Sequence, residues 1–241
     1  MEEIFAFHNL LTFLSLSGLE IVLGIDNVIF IAIIIYSIPK PRRNKVRIFG
    51  ISLAIALRIL MLFGVSWVMS LTIPLFSLLN IEFTGRSLLL LTGGVFLIIK
   101  ALTELYDMLN DDLSEKLGRK GYDIQKEYRI ILQIIFVDLV LSFDSVIVAV
   151  GMVNKLSLII PAILVAMVAM LISAKAIGDF MHSNPSIKVL GLAFVLLVGI
   201  ALAVGGFGID VPKGYLYAVM FFSLFVEVVN IRVRKIRQHK T

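Results

Sequence analysis

The sequence predicts an all-α polytopic membrane protein with seven transmembrane helices. The chain of 241 residues is 59% hydrophobic and has a mean hydropathy of +1.01. Its apolar residues form long runs rather than amphipathic stripes, and a run of about 18 to 25 residues is what a helix needs to cross the hydrocarbon core. We therefore expect a single transmembrane domain over residues 1–241, with no separate soluble domain.

Seven apolar runs of that length follow one another along the chain. They cover residues 12–36, 47–71, 86–106, 130–152, 157–180, 187–208 and 214–231. The longest hydrophilic segment, 107–129, lies between the third and fourth runs, and we interpret it as a cytoplasmic linker. The N-terminus, Met1-Glu2-Glu3, lacks a basic n-region, so we expect no cleaved signal peptide. The chain has no cysteine, which excludes disulfides and thiolate metal sites.

The basic residues are distributed unequally between the two sides of this arrangement. Sixteen lysines and arginines fall between spans one and two, three and four, and five and six, or after span seven. The opposite side has only Arg86, Lys155 and Lys213. The positive-inside rule then predicts an external N-terminus and a cytoplasmic C-terminus. The net charge of +5 is thus interpreted as a topology signal next to the lipid bilayer, not as a nucleic-acid surface.

Two segments resemble each other, and each places two carboxylates within an apolar helix. Residues 19–30 read Leu-Glu-Ile-Val-Leu-Gly-Ile-Asp-Asn-Val-Ile-Phe, and residues 137–148 read Val-Asp-Leu-Val-Leu-Ser-Phe-Asp-Ser-Val-Ile-Val. Glu20 and Asp26 match Asp138 and Asp144. Because three spans separate the two starts, the copies should run antiparallel. Residues 12–106 and 130–208 are therefore predicted to be inverted repeats of three helices each, followed by a seventh helix at 214–231.

The spacing of these acids predicts which side chains share a helix face. Six residues on an ideal helix leave two side chains about 120° apart, whereas seven align Glu20 with Asn27, and Asp138 with Ser145. For both acids of a pair to reach one cavity, the helix must unwind locally or the cavity must wrap around it. Gly24 favours unwinding in the first span, while Ser142 at the equivalent place is less suited. Counting from the span midpoints places Glu20 level with Asp144, and Asp26 level with Asp138.

The deep acids outnumber the deep bases, which points to a site that handles cations. Arg58 is the only basic residue predicted well inside the membrane, and Glu227 adds a fifth acid with Ser223 and Asn230 on about the same face. Oxygen ligands suit hard ions such as Mn²⁺, Mg²⁺ or Ca²⁺. The predicted metal-binding residues are Glu20, Asp26, Asn27, Asp138, Asp144 and Ser145, and the predicted supporting residues are Arg58, Ser223, Glu227 and Asn230.

At these residues the sequence resembles the TerC family of integral membrane proteins, and its short YgdQ-like branch in particular. The matching elements are Glu-Ile-Val-Leu-Gly-Ile-Asp-Asn at 20–27, Asp-Leu-Val-Leu-Ser-Phe-Asp-Ser at 138–145 and Val-Pro-Lys-Gly-Tyr at 211–215. The resemblance implies a multi-pass protein of the bacterial inner membrane in the LysE-type transporter superfamily. It also implies Mn²⁺ efflux, with tellurium resistance as a secondary label, and no appended cytoplasmic domain is expected.

The function predicted from these features is export of a divalent cation, with Mn²⁺ as a substrate rather than a cofactor. Alternating access between the repeats would carry the ion. Coupling to protons is the hypothesis, and the sequence leaves H⁺ and Na⁺ coupling open. The alternatives are a structural polar network around Arg58, an exporter of a cationic metabolite, and an accessory protein that delivers metal without transporting it. An intramembrane aspartyl protease would need a Gly-x-Gly-Asp context that the chain lacks, so no enzyme is expected. The oligomeric state is left open.

Overall fold

The computed structural model describes residues 2–35, 38–78, 81–110, 124–153, 155–209 and 211–238. Nine helices and two strands lie in this part of the chain. They are α1 (Glu2–Leu23), α2 (Ile25–Ile35), α3 (Lys40–Phe63), α4 (Val65–Ser70), β1 (Pro74–Leu78), β2 (Ile81–Thr84), α5 (Gly85–Leu109), α6 (Ile124–Met152), α7 (Leu156–Ser183), α8 (Pro185–Gly205) and α9 (Lys213–Gln238). Most of the predicted linker 107–129 lies outside the described residues.

The apolar runs of the sequence coincide with helices. Six of them, α3, α5, α6, α7, α8 and α9, are each long and apolar enough to cross a membrane. The seventh candidate is a pair, Asn9–Leu23 with Ile25–Ile35, bent by 43° at the break between its two parts. The architecture of membrane-length apolar helices is therefore confirmed, and the count reaches seven only if the bent pair is taken as one span.

The first span breaks at Gly24, as its sequence predicts. Gly24 N still donates to Glu20 O at 2.9 Å, and Val28 N donates to Gly24 O at 3.1 Å, so the chain changes direction without losing these hydrogen bonds. A Cβ at Gly24 would lie 3.2 Å from Met170 Cε of α7. The equivalent helix α6 runs unbroken from Ile124 to Met152, in keeping with Ser142 in place of a glycine.

A β-hairpin between α4 and α5 was not predicted. The span expected over 47–71 is α3, then a break at Gly64 and the short α4. Strands β1 and β2 pair antiparallel, and Phe76 stacks on Phe83 with ring centroids 5.2 Å apart. Phe83 also meets the edge of Phe207, which follows α8, at 6.3 Å. The hairpin therefore joins the start of α5 to the end of α8.

The helices of the two halves pair with one another across the molecule. Helix α3 packs on α6, the broken span α1–α2 packs on α7, and α5 packs on α8. If residues 12–106 and 130–208 are equivalent, the packing of α3 on α6 corresponds to the packing of α7 on the broken first span. The packing of α5 on α8 then corresponds to itself. Helix α9 packs on α8, and no residue in its most apolar stretch is buried. The inverted repeat and the orientation in the membrane stay predictions.

Small residues bring α5 and α8 into backbone contact. A Cβ added at Gly94 would lie 2.5 Å from Ala203 N and 2.6 Å from Gly199 O, and one added at Gly199 would lie 3.0 Å from Gly94 O. Glycine at these positions therefore lets two helices approach more closely than any side chain would permit.

Replacing Gly94 with alanine should destabilise the fold, because the added methyl group meets backbone atoms that cannot rotate away. We expect a loss of about 1–3 kcal/mol, seen as a lower melting temperature of the detergent-solubilised protein in fluorescence-detected size-exclusion chromatography. Gly18→Ala is the matched control, since nothing lies within 4 Å of its added Cβ. Equal melting temperatures for the two variants would contradict the close packing of α5 on α8.

Candidate functional site

The parallel packing of α3 on α6 carries an arginine into the protein interior. Gly50 of α3 lies against the Ile134 side chain of α6, and a Cβ added at Gly50 would be 3.0 Å from Ile134 Cδ1. About two turns further along both helices, Arg58 donates from Nη2 to Ser142 Oγ. Arg58 is only 2% exposed, although it carries a charge. A buried guanidinium needs anionic partners, and two neighbouring helices supply them.

Glu20 and Asp138 are those partners. Arg58 Nη1 lies 3.0 Å from Glu20 Oε2, and Arg58 Nη2 lies 3.0 Å from Asp138 Oδ1. Each carboxylate is 2% exposed. The guanidinium thus joins α1, α3 and α6 at one point, and its planar fork can serve two carboxylates at once.

Two polar side chains complete this cluster. Asn27 Nδ2 donates to Asp138 Oδ1 at 3.0 Å, and Ser145 Oγ donates to Glu20 Oε2 at 3.5 Å. The central network is therefore Glu20, Asn27, Arg58, Asp138, Ser142 and Ser145. Two acceptors in it, Glu20 Oε1 and Asn27 Oδ1, are buried and have no hydrogen-bond partner in the described part of the chain. The network keeps unused acceptor capacity for a cation, a proton or water.

The other two acids of the repeated motif meet at a separate place. Asp26 and Asp144 both line a cavity of about 50 Å³, which we call the Asp26 cavity, together with Arg86 and Lys213. Arg86 Nε lies 3.0 Å from Asp144 Oδ1, and Tyr217 OH donates to Asp26 Oδ1 at 3.2 Å. Asp26 is 5% exposed, whereas the Asp144 side chain is 26% exposed.

Local structure holds the groups of the Asp26 cavity in place. Asp26 stands in the first turn of α2, where the partial positive charge of a helix N-terminus favours a carboxylate. Thr84 Oγ1 accepts from Ser87 N at 3.0 Å and caps α5, and Arg86 N donates to Leu71 O at 2.9 Å. The cap and this backbone bond fix the direction in which the Arg86 side chain leaves the helix.

Comparison with known proteins places this arrangement in a family. Residues 5–241 match the family described as integral membrane protein TerC. The chain belongs to the TerC family. A UPF0053 protein of Haemophilus influenzae is 44% identical to it over 229 residues, which are 94% of each chain. The UPF0053 inner membrane protein YgdQ of Escherichia coli strain K12 is 41% identical over 217 residues, which are 90% of each chain.

A longer relative matches over the same region. The UPF0053 inner membrane protein YoaE of Escherichia coli strain K12 is 43% identical over 222 residues, 92% of this chain but only 42% of YoaE. No solved structure matches the chain. The family match and the apolar helices make this TerC protein a multi-pass protein of the cell membrane, and membership of an integral membrane family favours a role other than catalysis.

The structure divides the predicted metal site of this TerC protein into two. The alignment of Glu20 with Asn27, and of Asp138 with Ser145, is confirmed, because all four side chains reach Arg58 or its partners. Asp26 and Asp144 point to other faces of their helices and line the Asp26 cavity. The bend at Gly24 does not bring the four acids together, since six residues still separate the two side chains of each pair by about a third of a turn.

The acids that share partners are equivalent in sequence, not the crossed pairs predicted from depth. Glu20 and Asp138 share Arg58, while Asp26 and Asp144 share a cavity. Among the described contacts, the residues next to the acids are the ones that bond across the predicted levels. Ser145, which follows Asp144, donates to Glu20, and Asn27, which follows Asp26, donates to Asp138. These two hydrogen bonds agree with the depths counted from the span midpoints. The acids of a crossed pair do not bond to each other because six residues place the two acids of one helix about a third of a turn apart.

The residues predicted on α9 lie apart from both sites. Asn230 Nδ2 donates to Glu227 Oε2 at 3.4 Å, but neither residue, nor Ser223, contacts the central network or lines the Asp26 cavity among the described contacts. Helix α9 reaches the acids through Lys213 and Tyr217 instead.

The sequence analysis missed Tyr217 and the pairing of Arg86 with Asp144. A signal for Arg86 and Lys213 was present, because they are two of the three basic residues on the side where such residues are rare. A basic residue on the side with few basic residues indicates a specific role more strongly than one on the side where most of them lie. Tyr217 had no comparable signal, since aromatic residues are common at the ends of membrane helices.

Arg58→Gln should destabilise the protein strongly, because it leaves Glu20 and Asp138 buried without a counter-charge. Removing one partner of a buried ion pair costs about 3–5 kcal/mol. The triple variant Arg58→Gln/Glu20→Gln/Asp138→Asn should recover most of this loss, since it removes the charges as well. Thermal unfolding in detergent measures both.

Lys100→Gln serves as the control for the Arg58 variants, since it breaks a less buried i, i+4 pair with Glu104 and should cost under about 1 kcal/mol. If the single and triple Arg58 variants unfolded at the same temperature, Arg58 would not be the counter-charge of these two acids.

Proposed function

We propose that this TerC protein exports divalent metal cations, with Mn²⁺ as its substrate. The observation that carries the proposal is that two pairs of sequence-equivalent carboxylates lie where helices of the two halves pack together. Arg58 binds both acids of one pair, and Arg86 binds Asp144 of the other. Ionisable groups at membrane depth are costly and mark ion pathways. A structural network would be complete with Arg58 and its two partners, whereas the second pair, Asp26 and Asp144, adds two further acids beside a cavity.

The chemistry of the donors suits a hard cation. Carboxylate, amide and hydroxyl oxygens form the central network, and two carboxylates line the Asp26 cavity. The chain has no cysteine, so Mn²⁺, Mg²⁺ or Ca²⁺ fits better than copper or zinc. No three His, Asp or Glu side chains in the described part of the chain stand together at metal-binding spacing. A divalent ion therefore has to gather its ligands by movement, and the ion pair of Arg86 with Asp144 is the first contact that must open.

The pairing of helices supports alternating access. Transporters built from inverted repeats bind their substrate where the repeats meet and rock one repeat against the other. Here α3 packs on α6 just as α7 packs on the broken first span, with α5 on α8 between the halves. The acid pairs lie among these contacts. A movement that exchanges the environments of the two halves would also exchange the environments of Asp26 and Asp144.

The charges suggest how an ion would be released. While the arginines pair with the carboxylates, their positive charge takes the place of a cation, so the ion and the guanidinium compete for the same oxygens. Protonation of a carboxylate would release either one. Coupling of metal export to proton entry follows as part of the proposal, and a pH gradient tests it separately from the substrate.

Flux of Mn²⁺ into proteoliposomes tests the transport function. Wild-type protein should give saturable uptake, and Asp26→Asn and Asp144→Asn should each reduce it to the level of protein-free liposomes, because an amide removes the charge that holds the ion. Ca²⁺, Mg²⁺ and Zn²⁺ serve as competitors. Glu82→Gln, an exposed carboxylate on β2, is the matched control and should transport normally.

Two outcomes of the flux measurement would count against the proposal. Folded wild-type protein that moves no divalent ion would contradict it and favour an accessory role or export of an organic cation. Metal flux that neither moves protons nor responds to a pH gradient would overturn the proton coupling alone.

Arg86→Gln should raise the equilibrium affinity for Mn²⁺, because Asp144 loses the guanidinium that competes with the ion. A gain of about fivefold corresponds to about 1 kcal/mol, which is about what a partly exposed ion pair is worth. Loss of the free Mn²⁺ signal in electron paramagnetic resonance measures binding, with Arg234→Gln on α9 as the control. Weaker binding by Arg86→Gln would mean that Arg86 helps to hold the substrate rather than excludes it.

A further inference from the structure

A second, basic cavity lies at the far end of the first span from the Asp26 cavity. It has a volume of about 380 Å³ and lies between the end of α2, the first turns of α3 and the last turns of α7. Arg43, Arg47 and Lys175 line it, with Asn44 and a single carboxylate, Asp179. We call it the basic cavity. None of its lining residues belongs to the central network or the Asp26 cavity.

The charges of the basic cavity come from two separate helices and converge. Arg43 and Arg47 are four residues apart on α3, and Lys175 and Asp179 are four residues apart on α7, so each pair shares a helix face. Three basic groups around one carboxylate leave the cavity with two positive charges in excess. This potential repels a divalent cation, so the basic cavity has no place on a cation pathway, and it attracts an anion.

The position of the arginines is fixed by contacts with the chain. Arg43 Nε donates to Ile38 O at 2.9 Å, and Arg47 Nη2 donates to Asn44 Oδ1 at 2.6 Å. Both side chains are half-buried, so their heads are held at the cavity rather than extended into solvent. Because guanidinium groups bind phosphate oxygens through two parallel hydrogen bonds, an anchored pair favours phosphate over a simple halide.

The cavity is amphipathic, and it lies beside the predicted ends of the membrane spans, where lipid headgroups are expected. Ile35 and Ala174, which are 4% and 3% exposed, form its apolar wall. Beside the charged residues the outer faces of the helices turn apolar at once, with Phe49 at 56% and Phe180 at 45% exposure. Basic pockets between membrane helices at this level suit the phosphate of an anionic lipid, and the volume is within the range of about 300–1,000 Å³ found for ligand pockets.

We propose that the basic cavity binds a phosphate-bearing anion, with Arg43, Arg47 and Lys175 as its ligands. The phosphate is that of an anionic membrane lipid or of a soluble phosphate compound, and the two sources share the same chemistry. The proposal does not depend on the transport function, since it concerns other residues and another charge. Asp179 opposes the anion and sets the affinity.

The test compares lipid and phosphate binding by the purified protein in detergent. Native mass spectrometry measures the binding of dioleoyl-phosphatidylglycerol against dioleoyl-phosphatidylethanolamine, and thermal unfolding measures stabilisation by inorganic phosphate against chloride at equal ionic strength. Arg43→Gln/Arg47→Gln should weaken anion binding about tenfold or more. Asp179→Asn should strengthen it severalfold, because it removes the repelling charge. The control is Arg232→Gln/Arg234→Gln, which removes two exposed arginines of α9.

Each outcome decides the proposal. Preference for phosphatidylglycerol identifies a lipid, and stabilisation by phosphate without that preference identifies a soluble ligand. Wild-type protein that shows neither would overturn the proposal, and so would equal losses in the two double variants, which would indicate general attraction to a basic surface. If Arg43→Gln/Arg47→Gln fails to fold, Lys175→Gln and Asp179→Asn must still shift the affinity in opposite directions, and shifts in the same direction would overturn it.

Discussion

The pairing of Arg58 with Glu20 and Asp138 is the interaction on which the interior of this protein depends. A single charged residue at the centre of a membrane span costs about 2.5–3.5 kcal/mol or more, and here three lie together at about 2% exposure. The single guanidinium offsets one of the two negative charges and donates hydrogen bonds to both carboxylates, and it joins α1, α3 and α6 at one point. A cation that approaches Glu20 or Asp138 is repelled by the guanidinium between them, because like charges interact strongly in a medium of low dielectric constant.

The second acid pair, Asp26 and Asp144, also depends on a counter-charge, but that counter-charge is held less firmly. Arg86 pairs with Asp144 where both side chains are about a quarter to a third exposed, so water screens the interaction and the pair separates more readily than the one at Arg58. Asp26, by contrast, is buried and receives a hydrogen bond from the neutral Tyr217. The two sites thus differ in how firmly their counter-charges are held. The central network supports the fold, and under the proposed function the Asp26 cavity is where a cation would enter at lower cost.

Much of this could be predicted from the sequence, because a membrane imposes simple rules on helix length and buried charge. The helices, the break at Gly24 and the alignment of Glu20 with Asn27 all follow from apolar runs and helical periodicity. The hairpin of β1 and β2 could not be predicted, since most residues of these strands are apolar like the spans on either side. The pairing of Arg86 with Asp144 depends on how α5 packs against α6, and no local pattern in the sequence carries that information.

The distribution of basic residues connects these sites. Most lysines and arginines lie on one side of the predicted arrangement of spans, the side that the positive-inside rule assigns to the cytoplasm. Because one rule accounts for them all, a further role of any single residue is hard to recognise. Two groups of basic residues can still be recognised as having a further role. Arg86 and Lys213 lie on the side with few basic residues, and both line the Asp26 cavity. Arg43, Arg47 and Lys175 obey the rule, but they come from two helices and meet at one cavity, which orientation in the membrane does not require. A topology signal needs only charge on the correct side, whereas a binding site needs convergence, and convergence becomes visible only in three dimensions.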